Sequence, residues 1–387
     1  MKVAIISFGH TDSIIPLTKT LNQKVDVTLF LTLALNKTTS SVVSITEPII
    51  KTGLHSEKST ESLLSREIVN YFGKEFPVRL FFYKNLKFKS LTNWILSFKF
   101  SRILRKFDII HINGQNAAAY QLKYLLPFKK FVYTIHDLKN HSGEETKNIL
   151  ALKYNISILN SKSQAVLQNT TDYKTAVQDF HGNSSTINFI PFGILDIYCQ
   201  FDTSKLSVTE SDVLFFGRIS PYKGIEYFVE AIEKLKNDMP ELKAVIAGSG
   251  KFYFDISNIE KDSRYIILNK FIDSDELSAI IKKTKIVVCP YVDATQSGVA
   301  MTAFAFQKPV IATDTGGFRD MIIDGQNGYL VPAKDSESIY KRLKQMLTEQ
   351  NLLNEMQQNI VKFSTEGEFS WGKIAERYKE VYEKALN

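Results

Sequence analysis

The chain is 387 residues long, 44% apolar and 23% charged, with a net charge of +7 and two cysteines. That length suits two ordinary domains, each with its own core, and the composition excludes disordered and fibrous classes. Cys199 and Cys289 alone make no disulfide framework, which fits a reducing compartment.

No stretch approaches the roughly 20 apolar residues that cross a bilayer. The first nine residues, Met1 to Gly9, are too short and strand-like for a signal peptide. The expectation is a cytoplasmic protein, soluble or peripheral on the cytoplasmic face of a membrane. Charge is unevenly spread: residues 1–195 carry +11 and the remainder −4. A basic first half suits an anionic partner, or it is simply a solvated basic surface.

In chain order, the predicted strands of the first half are Val3–Phe8, Val25–Phe30, Ile109–Ile112, Phe131–Ile135, Ile156–Leu159 and Ile187–Ile190. Those of the second half are Val213–Phe216, Ala244–Ala247, Tyr265–Leu268, Ile286–Cys289, Val310–Ala312 and Tyr329–Val331. Their apolar residues are consecutive rather than alternating, as strands covered on both faces require. Helical patterns lie between them. Ile225, Phe228, Val229, Ile232 and Leu235 mark one helix face, opened by Pro221 and closed at Met239-Pro240. Such β-α alternation, occurring twice, predicts two doubly wound parallel sheets. The expected division is 1–197, 198–369 and a final helix over 370–387, with Trp371, Ile374, Ala375, Tyr378 and Tyr382 on its inner face.

Two segments carry site signals. In Leu214-Phe-Phe-Gly-Arg-Ile-Ser-Pro-Tyr-Lys-Gly224 a buried strand ends at Gly217, and a helix is expected to begin between Arg218 and Lys223. Free helix amides and two cations suit a diphosphate, Arg by its planar fork and Lys as a point charge. The alternative is a surface loop with ordinary cations. In Cys289 to Thr302 a strand feeds Thr295-Gln-Ser-Gly298 and then a short apolar helix from about Val299 to Phe306. Gly298 allows close backbone approach and the helix start offers amides, although Thr or Ser before a helix is often only a cap. A strand ending at the Gly316-Gly317 turn follows.

These motifs together resemble the retaining glycosyltransferases of family 4. The resemblance rests on Phe-Gly-Arg-x(4)-Lys-Gly, Lys308-Pro-Val-Ile-Ala-Thr-Asp-x-Gly-Gly317, and pieces in the family's order. Those pieces are Asp108–His111, Tyr133–Asp137, Asn160-Ser161, Ile190–Gly193, Ala247–Gly250 and Lys270–Glu276. The resemblance implies the GT-B fold, two Rossmann-like doubly wound domains facing a central cleft. It implies transfer of a sugar from a nucleotide-sugar donor, UDP-sugar being favoured, to a saccharide acceptor, without cofactor or metal. Arg218 and Lys223 would hold the donor diphosphate, and Gly9, Gly217 and Gly248 would face the donor. Phe271 and Ile272 would lie along the base, and Thr295, Gln296, Ser297, Gly298, Val299 and Thr302 would complete the donor site. His136 would sit at the reacting sugar, or would be a satisfied histidine beside Asp137; His111 stands behind it.

The chain departs from the family at two positions. Ala294 and Thr302 stand where two glutamates are usual, and the loop reads as a branch with Ala-Thr-Gln-Ser-Gly-Val there. Asp293, one residue earlier, is either a substitute carboxylate or a solvated charge. Asp273-Ser-Asp275 spells a metal signature of another glycosyltransferase fold, but it precedes a helix and reads as its cap. The missing glutamates keep open a non-catalytic subunit that binds a partner glycosyltransferase. A sugar-nucleotide epimerase would need carboxylates at the sugar ring, and a pyridoxal-dependent phosphorylase a marked lysine; neither set is evident.

Val78–Phe107 holds eight Lys/Arg, eight aromatics and no acidic residue. Rings and cations so mixed suit an anionic membrane surface and a lipid-linked saccharide acceptor, as in surface polysaccharide assembly. The alternative is that the rings are core and the cations solvated. No nucleic-acid motif accompanies the segment.

Overall fold

The computed structural model describes all residues except 86, 88, 115, 116, 139–148, 295 and 296. The described residues before Ile194, together with Trp371–Asn387, form one compact unit, and Ile194–Ser370 forms a second.

In the first unit the chain runs β1 (Lys2–Ser7), α1 (Thr11–Leu21), β2 (Asp26–Ala34), a small ribbon of β3 (Thr39–Ser40) and β4 (Val43–Ser44), then β5 (Gly53–Leu54), α2 (Glu57–Leu63) and α3 (Arg66–Phe72). It continues as β6 (Val78–Tyr83), α4 (Leu91–Leu104), β7 (Ile109–Asn113), α5 (Ala117–Leu125), β8 (Lys130–Ile135), α6 (Ile149–Leu159), β9 (Gln164–Leu167), α7 (Thr170–Asp179) and β10 (Ile187–Phe189). The second unit contains β11 (Ser211–Phe216), α8 (Ile225–Leu235), β12 (Ala244–Ala247), α9 (Ser257–Glu260), β13 (Tyr265–Leu268), α10 (Ser274–Lys282) and β14 (Thr284–Cys289). It closes with α11 (Gly298–Ala305), β15 (Val310–Thr313), α12 (Phe318–Met321), β16 (Gly328–Val331), α13 (Ser336–Thr348) and α14 (Gln350–Thr365), before α15 (Trp371–Leu386) returns to the first unit.

Both sheets are doubly wound. The first has the order β10-β9-β8-β7-β1-β2-β6-β5, parallel except at β5; the second, β13-β12-β11-β14-β15-β16, is parallel throughout. Val3, Ala4, Ile5 and Ile6 are all fully buried, as are Val213, Leu214 and Phe215. Continuous apolar runs thus become central strands because helices cover both faces.

Four expectations need correction. Ile156–Leu159 is the end of α6, where Tyr154, Ile158 and Leu159 are buried while Ile156 is exposed. A short apolar run fits either a strand or one side of a helix, and here the helical period prevails. The strand that occupies that place is β9, only four residues long. Second, Pro221 opens not α8 but a 3₁₀ turn over Pro221–Lys223, and α8 begins after Gly224, which is left-handed at φ 62°. No α-helix therefore starts between Arg218 and Lys223. Third, Asp273 stands at the N-cap of α10 without a side-chain cap bond; Asp275 instead accepts from the Glu276 amide at 2.9 Å. Fourth, four of the seven described rings of Val78–Phe107 are interior. Phe81, Phe82 and Tyr83 are buried in β6, and Phe81 stacks on buried Phe100 of α4 with centroids 4.2 Å apart. Phe88 lies outside the described residues.

Strand alternation sends neighbours on β7 to opposite faces. Ile110 and Ile112 join the core under α4 and α5, whereas His111 meets α15. Its Nδ1 lies 2.8 Å from Tyr382 Oη and its Nε2 2.8 Å from Thr134 Oγ1, which is 3.0 Å from Tyr378 Oη. All four side chains are buried. Burial holds the His111 pKa down at about 3, so the ring is neutral. At the start of α15, a Cβ on Gly193 would lie 2.6 Å from the Trp371 ring, so only glycine fits there. Tyr382→Phe would leave a His111 nitrogen buried and unpaired, at a cost of about 1–3 kcal/mol. We expect a lower urea midpoint with unchanged slope; an unaltered midpoint would show that the bond contributes nothing.

Candidate active site

Open α/β sheets bind ligands beyond the strand C-termini where the strand order reverses. In the second sheet that point lies between β11 and β14. β11 delivers Gly217, Arg218 and the 3₁₀ turn with Lys223; β14 delivers Cys289, Pro290, Tyr291 and the lead into α11. The two loops are tied together. The Val292 amide donates to the Tyr222 carbonyl at 2.8 Å. A Cβ on Gly224 would lie only 2.0 Å from the Pro290 carbonyl oxygen, so the chains meet there backbone to backbone.

Between them stands Lys223. Its Nζ sits 3.6 Å above the Tyr291 ring centroid and 5.2 Å from that of Tyr222. Burial, with some help from Arg218 and against the pull of the Cys289 thiol, lowers its pKa to about 7. The Cys289 thiol is pushed up to about 12, again chiefly by burial. Arg218 is exposed at the rim of the same loop. Lys223 as a whole is half-buried, and an ammonium partly withdrawn from water gains from an arriving anion.

The other expected residues distribute as follows. Ser297 caps α11, its Oγ accepting from the Ala300 amide at 3.4 Å. The Val299 side chain lies over Gly217, whose absent Cβ would stand 3.8 Å from it, and Gly298 is half-buried beside Leu195. Thr302 is buried, and its hydroxyl donates to the Gly298 carbonyl at 2.7 Å, a bond internal to the helix. Gly248 has a packing reason of its own: a Cβ there would fall 1.9 Å from the Gly217 carbonyl oxygen. Phe271 is 73% exposed and Ile272 half-buried. Thr295 and Gln296 lie outside the described residues. Sequence reasoning missed Tyr291, whose ring carries the ammonium; it lies inside the Cys289–Thr302 segment, where no local signal shows that Lys223 lies across its face.

In the first sheet the order reverses between β1 and β7. Gly9 and His10 follow β1, Asn113 and Gly114 end β7, and His136 follows the neighbouring β8. His136 is buried, with Nε2 at 3.0 Å from Asn113 Oδ1. The Asn113 amide nitrogen in turn reaches Ser7 Oγ at 3.3 Å and the Gly9 carbonyl at 3.4 Å. Burial first, then His10 and His111, holds the His136 pKa well below its ordinary value, with Gln168 opposing weakly. The ring is neutral, and Nδ1 makes no hydrogen bond of good geometry. Asp137 is half-buried beyond it.

Residues 200–363 match the family model described as glycosyl transferases group 1. The matched stretch contains both loops of the second unit. An uncharacterised glycosyltransferase of Methanocaldococcus jannaschii is 28% identical over 44% of this chain and 47% of its own length. The chain thus spans about half of that relative. A Bacillus subtilis protein named as a glycosyltransferase, YtcC, is 24% identical over 72% of this chain and 73% of its own. Anabaena Alr3699/HepE, solved with UDP, superposes with a TM-score of 0.66 at 16% identity, covering 99% of this chain and 100% of that one. The likeness shows the fold, GT-B, with two Rossmann-like domains.

Gly224→Ala tests the junction of the two loops. The added Cβ meets backbone that has nowhere to go, and φ 62° is itself unfavourable for alanine. We expect about 2 kcal/mol or more of lost stability. A thermal midpoint equal to the parent's would refute the close approach.

Proposed function

We propose that this chain is a retaining glycosyltransferase of family 4. It moves a sugar from a nucleotide-sugar donor, a UDP-sugar being favoured, to a lipid-linked saccharide acceptor in surface polysaccharide or glycoconjugate assembly. The observation that carries the reading is the Lys223–Tyr291 contact beside Arg218, at the strand-order reversal inside the family-matched stretch. Solved neighbours titled as complexes with UDP and with UDP-glucose support the donor class.

On this reading the acceptor hydroxyl attacks the face that the leaving diphosphate vacates, and a diphosphate oxygen takes its proton. Arg218, protonated Lys223 and the amides at the start of α11 stabilise the charge that grows on the leaving group. His136, neutral and held by Asn113, meets the reacting sugar. The scheme needs no carboxylate nucleophile, so Ala294 and Thr302 do not stop it; nor does it need a divalent metal. Those same two residues favour the second reading, a GT-B subunit that binds donor without transferring and serves a partner enzyme.

Calorimetry with UDP tests the site. The free Lys223 ammonium has a pKa of about 7 and an anion raises it, so binding takes up a proton above that pH. Affinity should weaken as pH climbs from 7 to 9, by up to about tenfold per unit. Lys223→Ala should abolish that dependence, and it and Arg218→Ala should each cost about 1.5–3 kcal/mol of binding. Turnover of UDP-glucose should fall about tenfold or more in both, and persist with chelator in the parent. Wild-type affinity in both variants would place the diphosphate elsewhere. Binding without turnover would favour the subunit reading.

No helix among the described residues is long and apolar enough to cross a membrane. Membrane contact is therefore proposed as peripheral, on the cytoplasmic leaflet, through the outer row of α4. Leu91, Ile95 and Phe98 are 75%, 50% and 50% exposed, and Arg102 and Arg105 continue the row. Nearby on the same packed helix pair, Tyr124 is 76% exposed and Phe128, just past α5, 98%. Exposed rings and aliphatics beside cations match an anionic lipid surface. Sedimentation with vesicles should rise with phosphatidylserine content, fall with salt, and drop sharply in Lys99, Arg102, Arg105 and Lys106→Ser combined. Binding indifferent to all three would exclude the surface.

A further inference from the structure

His10 was not marked by any motif, yet its backbone and ring are both unusual. It stands between Gly9 and α1 in the left-handed region, at φ 51° and ψ 43°. That region is favourable for glycine and unfavourable for histidine. The conformation is fixed from the helix side: the His10 carbonyl accepts from the Ser13 amide at 3.2 Å, the Ile14 amide at 3.1 Å and Ser13 Oγ at 3.0 Å. Its side chain does not cap the helix. Instead the ring lies flat on His136, with centroids 3.6 Å apart and planes 15° from parallel.

The stack closes a small circuit at the ends of three adjacent strands. His10 follows β1, Asn113 ends β7 and His136 follows β8. Asn113 binds His136 through Oδ1 and reaches the Gly9 carbonyl through its amide nitrogen. That assignment leaves His136 Nε2 as the N–H donor and Nδ1 as the ring's lone-pair nitrogen. Gly114, left-handed at φ 81°, ends the loop after β7 beside the His10 ring. Asn113 restrains the His136 ring at one edge only. A bond at one nitrogen leaves the ring free to pivot about it, and a face-to-face contact removes that freedom.

We propose that His10 is a positioning residue that holds the His136 imidazole in one plane, so that the Asn113 bond and the tautomer it sets are kept ready for the sugar of the donor. This rests on the transfer reading given above for His136. The left-handed backbone is then the conformation that lets a residue of α1's entry lay its ring across the end of β8.

The test uses the full chain with His10→Gly, which removes the ring and relieves the backbone, and His10→Phe, which keeps a stacking ring without its nitrogens. Six histidines make the ring ¹⁵N spectrum tractable, and His136→Gln assigns the signal. In the ligand-free parent, His136 should show a single neutral Nε2–H tautomer. In His10→Gly the signal should shift and broaden as the ring samples orientations that strain the Asn113 bond, with an unchanged or higher thermal midpoint. His10→Phe should restore the parent spectrum. With UDP-glucose, His10→Gly should lose about tenfold in kcat at little change in KM, as a loosened reacting group does, and His10→Phe should recover most of it. A His136 spectrum indifferent to His10→Gly would overturn the proposal, as would equal losses of kcat in both variants, which would make the His10 nitrogens catalytic in their own right. If the parent fails to bind UDP or turn over UDP-glucose while its His136 spectrum still depends on His10, the transfer reading falls and the positioning role stands.

Discussion

The second unit is organised around an ammonium whose close contact among the described residues is an aromatic face. Lys223 is held by the face of Tyr291, and the groups that set its pKa are burial, Cys289 and Arg218, with no Asp or Glu among them. A cation over an aromatic face in a dry site is worth roughly 2 kcal/mol or more, which offsets only part of its desolvation. The deficit shows as a pKa near 7. Everything around it serves that geometry. The Gly224 and Pro290 backbones must touch to bring the turn of Lys223 under the loop of Tyr291, and the Tyr222 carbonyl must take the Val292 amide to keep them in register.

That arrangement gives the missing glutamates a physical meaning. Ala294 and Thr302 bring no carboxylate to the loop after β14 or to α11. Ala294 is buried and the Thr302 hydroxyl is turned to its own helix. On the proposed reading, a highly charged anion would gain more at that ammonium than a neutral sugar would.

Much of the fold was legible because central parallel strands must be apolar on both faces, and Val3–Phe8, Val213–Phe216 and Ala244–Ala247 are. What escaped did so for local reasons. β6 carries Arg79 among its rings, and an ion pair of Arg79 with Glu57 lets that charge sit at its edge; in sequence it looked like part of a basic surface. β9 is four residues of modest hydropathy, and the richer run at Ile156–Leu159 outshone it although it belongs to a helix. At the site, Arg218 and Lys223 could be read from a loop after a strand. Tyr291 and His10 could not, because a ring's role depends on what lies across its face, and both partners come from distant segments.

The two reversal points solve the same problem by opposite means. In the second unit close approach is reached by removing side chains, at Gly224 and Gly248, so that backbones touch. In the first, the corresponding left-handed position is filled by a histidine, and the contact is ring on ring. Glycine would be the easier residue there, and Gly9 stands beside it. A ring placed against backbone preference needs a compensating contact, and the His136 face supplies one worth about 0.5–1.5 kcal/mol. That nearly balances a left-handed penalty of about 1–2 kcal/mol, so the stack and the strained turn hold each other. Each offsets the other in part, and together they set the His10 ring against the face of the buried His136 imidazole.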